Sequence, residues 1–130
     1  MAGSFSNYLE NAVLDHVLKV AALTVPTNLY VALYTVAPTD AGGGTEVTGG
    51  SYARKVANAW TTASGGAAEN SAAITFATAT AGWGTVVAFA VFDAITAGNM
   101  LFHGTLAANK TVLTDDAVEF AIGAIDVTLD

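Results

Sequence analysis

Apolar residues recur at helical spacing only near the start of the chain. Leu9, Val13 and Val17 fall four apart, and Leu14 and Leu18 widen the same stripe. Asn7 with Glu10 three residues on makes a capping-box-like start, with Ser4 and Ser6 as competing caps. Asp15 and Lys19 add an acid-before-base pair on the polar side. This pattern predicts one helix over about residues 5–21, with Pro26 ending any helical tendency.

Beyond Pro26 the period drops to two. Residues 29–36 are aromatic and β-branched and apolar on both faces, as in a central strand covered on both sides. Alternation over 52–60 predicts the next strand, and 72–77, with Ile74 and Phe76 facing one way, a third. Residues 86–92 and 100–106 form the clearest pair, joined by a turn in which Gly98 and Asn99 tolerate positive φ. Short strands at 111–113, 118–122 and 125–129 complete a set of about eight. Short strands between regular turn signals predict a mainly β fold, an antiparallel, jelly-roll-like β-sandwich with one N-terminal α-helix. The whole chain, 1–130, reads as one domain without internal repeats.

Between the first two strands lies a glycine-rich loop over about residues 38–51, PTDAGGGTEVTGGS. Gly44, Gly49 and Ser51 match the spacing of a phosphate-binding P-loop, but the position that requires lysine is Gly50. Period-two alternation follows where a P-loop needs a helix N-terminus. The loop therefore reads as a flexible connection between strands, one able to adapt to a neighbouring subunit.

Composition narrows the function. Hydrophobic residues make up 53% of the chain and charged residues 12%, roughly half the usual charged share. A surface so poor in charge implies partners that cover part of it. Lys19, Arg54, Lys55 and Lys110 are the only basic residues against a net charge of -7, which argues against direct nucleic-acid binding. The absence of cysteine excludes disulfides and thiolate metal sites. A signal-peptide pattern and a membrane-length apolar run are both lacking, so the expectation is a soluble protein made in the cytoplasm, with no membrane partner.

Candidate chemistry is sparse. His16 and His103 have no acidic or histidine partner at ligand spacing, and read as a helix–sheet packing residue and a strand-edge residue. Asp115, Asp116 and Glu119 are the densest acidic cluster, but their spacing matches no calcium loop and suits a solvated turn. Tyr52, Trp60 and Trp83 suit either a sugar-stacking platform or anchors of a core or subunit contact. Catalytic, cofactor and metal residues are therefore all assigned as none, and the chain reads as a non-enzyme.

Four stretches carry a resemblance: SNYLENAVLDHVL, LYVALYTVAPTDAGGGTEVTGGSYAR, ITFATATAGWGTVVAFAVFDAITAGNMLFHGTL and the closing AIGAIDVTLD. Together they span nearly the whole chain and resemble a family of small tailed-phage and prophage virion structural proteins. Members are labelled tail fibre or minor structural proteins, and some look like capsid decoration, or cement, proteins. The resemblance implies a protein of the virion, first at the capsid surface, stabilising the lattice as a homotrimer bound to the major capsid protein. The alternative it implies is a tail-associated protein with tail-protein partners and a receptor- or glycan-binding role. The candidate interface residues are Leu9, Val13, Val17, Gly43, Gly44, Tyr52, Trp60 and Trp83.

Overall fold

The period-two stretches pair around one long antiparallel ladder in the computed structural model, which describes residues 3–129. The elements run β1 (Ser4–Phe5), α1 (Asn7–Val17), β2 (Tyr30–Val36), β3 (Thr45–Glu46), β4 (Lys55–Val56) and β5 (Ala67–Glu69). They continue with β6 (Ile74–Thr75), β7 (Gly84–Phe92), β8 (Met100–Val112), β9 (Glu119–Phe120) and β10 (Asp126–Thr128). The main sheet has the order β1-β8-β7-β2-β3, with β4 also pairing β2. Two antiparallel ribbons, β5 with β10 and β6 with β9, complete the fold. The chain is thus mainly β and antiparallel, with one helix near its N-terminus, as its periodicity predicts. The main sheet forms one side of the core, and the ribbons with their connecting loops form the other.

Alternation along β2 and β7 sends large side chains to one face. Val31, Leu33, Phe89 and Val91 meet Ile74, Phe76, Val118, Phe120 and Ile125 in the principal core. Phe89 touches Phe102 and Phe120 edge-on, with ring centroids 6.4 Å and 5.9 Å apart. The opposite face carries Ala32, Ala88 and Ala90, flanked by Tyr34, Phe92 and Met100 in a second, smaller cluster.

Three predicted elements depart most from the sequence expectation, and the short strands β1, β3 and β5 fall where none was expected. Residues 111–113 do not start a new strand: β8 runs on to Val112, its register slipping between Val86↔Lys110 and Ala88↔Thr105. Such a bulge places extra residues in one strand without ending it. Residues 52–60 form only the two-residue β4 and an isolated bridge from Trp60 to Asn70. The reason lies on the edge of β2. Val47 N–H bonds to the Leu33 carbonyl and Ala57 N–H to the Leu29 carbonyl, both at the ladder ends. Between them the Leu33 N–H donates to the Tyr52 hydroxyl at 3.0 Å, so a side chain replaces the strand that alternation predicts.

The third difference is the helix. It starts after the Ser6 cap, whose hydroxyl accepts the Leu9 N–H at 3.2 Å and donates to the Met100 carbonyl. It ends at Val17, short of residue 21, because Lys19 adopts a left-handed φ of 65°. Lys19 therefore lies beyond the helix, off the regular surface on which an i,i+4 pair with Asp15 would form. The Asp15 carbonyl instead accepts the N–H groups of Val20 and Ala21. A strap over 18–29 follows, tied back where the Leu23 N–H donates to His16 Nδ1 at 3.1 Å. No described helix is long and apolar enough to cross a membrane.

Candidate functional site

The alanine face of the sheet is floored by small side chains, so other parts of the chain can lie close over it. The glycine-rich loop does so. Thr39 and Gly42 exchange backbone hydrogen bonds of 2.9 Å and 2.8 Å, closing a tight turn at the loop tip. Gly44 has φ +73°, and a Cβ there would sit 2.5 Å from the Val36 carbonyl oxygen, so only glycine fits. The turn is anchored at both sides of Asp40. Its carbonyl accepts the Asn7 N–H at the start of α1 (2.9 Å), and its carboxylate meets His103 Nε2 at 2.8 Å.

The expected flexible connection is therefore a pinned turn. Tertiary contacts supply the order that glycines alone withhold. At the position where a P-loop needs lysine, the Gly50 carbonyl accepts Trp83 Nε1–H at 2.9 Å and Thr80 N–H at 3.0 Å. Gly50 has φ +55°, and a Cβ there would lie 2.6 Å from the Ala81 carbonyl oxygen. A side chain is excluded by packing as well as by backbone conformation.

Arg54 crosses the same face. Its side chain is only 7% exposed and forms a two-pronged ion pair with Glu46: Nε donates to Oε1 at 2.8 Å and a terminal nitrogen donates to Oε2 at 2.9 Å. The other terminal nitrogen donates to the Ala94 and Ala97 carbonyls at 2.9 Å and 2.8 Å, fastening the β7–β8 turn. The guanidinium carbon lies 3.7 Å from the Phe92 ring centroid. Burial works against the guanidinium charge, but the hydrogen bonds and charge of Glu46 outweigh it and hold the Arg54 pKa above its ordinary value.

Two phenols share this environment. Burial, the stronger influence, and the Glu46 carboxylate both push the Tyr34 pKa up, against the Arg54 charge. Burial likewise pushes the Tyr52 phenol well above its ordinary value. The Leu33 N–H that donates to its oxygen opposes this, while Glu46, which accepts its proton at 2.9 Å, adds to it.

Between these pieces lies a cleft of about 560 Å³ on the alanine face. Asn7 and Tyr8 of α1 form one wall, Asp40, Gly42 and Gly43 another, and Arg54 with the 97–99 turn a third. Tyr34, Phe92 and Met100 make its base. The cleft offers hydrogen-bonding groups beside aromatic carbon, with its cation already neutralised.

Of the residues proposed for an interface, Gly43 lines this cleft and Gly44 supports its wall. Leu9 packs against the principal core, Val13 is half-buried, and Val17 is 67% exposed. Tyr52 is half-buried, its ring edge-on to Trp83. Trp60 is half-buried beside Phe102, with its Nε1–H on the Ala57 carbonyl. Trp83, 5% exposed, is a core residue and offers no surface platform.

His16 is exposed and ties down the strap instead of filling a helix–sheet junction. In the acidic cluster, Asp116 accepts the Leu113 N–H and Glu119 the Thr75 hydroxyl. Sequence reasoning missed Tyr34, Asp40 and the Arg54–Glu46 clamp. A lone arginine before a lysine in an acid-rich chain carried a weak signal, but its partners lie 8 and about 40 residues away.

Searching the curated proteins yields no significant match. A family model does match: the one described as Podophage GP4 fiber I protein gp80 aligns with residues 4–128, and the chain belongs to that family of phage virion structural proteins.

Proposed function

We propose that this protein is a fibre-associated component of a tailed-phage virion, a compact contact domain rather than a shaft, and that it faces the host surface. The family match over residues 4–128 carries this reading. A shaft requires long repetitive sequence, whereas this chain has no repeat and folds around one principal core. The protein acts by binding, without catalysis, and assembles as a homotrimer on its tail-protein neighbours.

Support for assembly comes from α1 and its strap. Leu14, Val17, Leu18, Val20 and Val25 are all more than half exposed, Val25 by 84%. No carboxylate occurs between Asp15 and Asp40, in a chain of net charge -7. An apolar surface whose only acids are Glu10 and Asp15 of α1 is suited to cover by another subunit, where like-charge repulsion is small.

A second reading, capsid decoration, draws on the same surface. A small non-repetitive domain with an exposed apolar helix also suits docking on a repeating shell of major capsid protein. Labelling the particle with an antibody to this chain and imaging it by electron microscopy separates the two. Label at the tail, in few copies per particle, is the expected result. Uniform label over the shell, with a copy number near that of the major capsid protein, would replace the fibre reading with decoration.

A further inference from the structure

We propose that the cleft on the alanine face is a binding site for a neutral saccharide. The inference rests on the host-facing reading above and names the ligand class. It starts from a hydroxyl that has no described protein partner. Tyr34 is only 5% exposed and lines the cleft base, yet its hydroxyl has no hydrogen-bond partner among the described residues. No described side-chain polar atom sealed from solvent is left unpaired, so this hydroxyl reaches solvent, and the cleft is the concavity that Tyr34 lines. A phenol at the floor of a concave site, both donor and acceptor, is placed to meet a ligand.

The surrounding groups define that ligand. Asp40 holds His103 through Oδ1, leaving Oδ2 to accept from another donor. Asn99 gives its amide N–H and its backbone N–H to Asp93, leaving its side-chain oxygen as an acceptor. The Asn7 amide stands exposed at the opposite wall. Acceptors therefore outnumber donors, which favours a ligand with several hydroxyl groups.

Charge argues the same way. The Arg54 guanidinium is already engaged by Glu46 and two carbonyls, so no free cation waits for an anion. The helix N-terminus is closed to anions too, because the Asn7 N–H is taken by the Asp40 carbonyl and the Asp40 carboxylate lies beside it. The Tyr8 ring, 45% exposed, and the Phe92 and Met100 side chains supply the apolar surface against which the C–H face of a sugar ring packs. At about 560 Å³ the cleft falls within the usual range for small-ligand sites. A Cβ at Gly42 or Gly43 would meet nothing within 4 Å, so the loop backbone faces open space there.

The test uses the full chain in two arms: an array of bacterial surface polysaccharides, and an amide-resolved NMR titration with glucose, galactose, mannose and rhamnose. Expected are array binding and sugar-dependent shifts confined to Tyr8, Asp40, Gly42, Gly43 and Asn99. Tyr34→Phe, which removes one oxygen, should weaken binding roughly five- to tenfold with an unchanged melting profile, and Asp40→Asn, which also alters the contact with His103, should weaken it at least as much. A blank array with no shifts up to about 50 mM sugar, far beyond millimolar affinity, would overturn the inference. So would binding that Tyr34→Phe leaves untouched, or shifts at these residues with inorganic phosphate in place of sugar. Label at the tail combined with a blank array would remove the saccharide site alone; label over the shell would remove the fibre reading.

Discussion

The two faces of the main sheet are built by opposite means. The inner face carries Val31, Leu33, Phe89 and Val91 and is held by burial of large apolar groups. The outer face carries Ala32, Ala88 and Ala90, which bury little area each, and is held by an ion pair, capped turns and directed hydrogen bonds. Area burial is non-directional and tolerates a range of neighbours, whereas a bidentate ion pair places its partners to within a fraction of an ångström. The inner face thus confers stability, and the outer one shapes a cleft. A site needs the second kind of construction, because its walls must stay in place without filling the space between them.

The largest effect should come from the inner face. Phe89→Ala is expected to cost about 3–5 kcal/mol, because the ring is fully buried between two other aromatics and leaves a cavity. Urea denaturation followed by tryptophan fluorescence measures it. A loss under ~1 kcal/mol would mean that the ribbons do not depend on this contact.

On the outer face, Arg54→Met should cost less, about 2–3 kcal/mol, since Glu46 is partly exposed and can recover some hydration. Its signature is local: hydrogen exchange should accelerate in the 93–99 turn while the β2–β7 ladder stays protected. Uniform acceleration would show that the two faces are not independent.

The effect that is smallest near neutral pH, and is felt only in alkali, belongs to the two phenols. The folded pKa values of Tyr34 and Tyr52 lie above the ordinary value of 10.0. Above pH 10 the unfolded chain loses protons that the folded chain keeps, so stability is full below that point and falls as pH rises. For Tyr52, whose shift is large, the slope approaches about 1.4 kcal/mol per pH unit, and Tyr34 adds to it in the same direction. Tyr52→Phe should flatten the decline in thermal melts from pH 9 to 12; an unchanged slope would show that Tyr52 is not responsible.

Much of the fold is legible in local pattern. The strand at 29–36, the pair 86–92 and 100–106, the turn at Gly98 and the lone helix each follow from periodicity and turn chemistry, which depend on neighbours in sequence. The strand expected over 52–60 failed because the Tyr52 hydroxyl, 19 residues from Leu33, took the ladder's place. The helix ended early at Lys19, where nothing local in VLKVAAL signals a left-handed turn. The cleft was illegible for the same reason. Tyr34 lies on β2, Asp40 in the glycine-rich loop, Arg54 just before β4 and Asn99 in the β7–β8 turn, and no spacing rule joins them.

By itself, then, the sequence determined the secondary-structure class, the apolar stripe of the N-terminal helix, the poverty of charge and the family. Those properties are sums over residues or short-range periods, and they survive without knowledge of contacts. Tertiary structure alone decided that the glycine-rich loop is a pinned wall, that Trp83 is core, and that Arg54 is a buried clamp. Each of these rests on partners distant in sequence. Packing and hydrogen-bond geometry bring such groups together only once the sheet has formed, and only there does a polar side chain acquire its role.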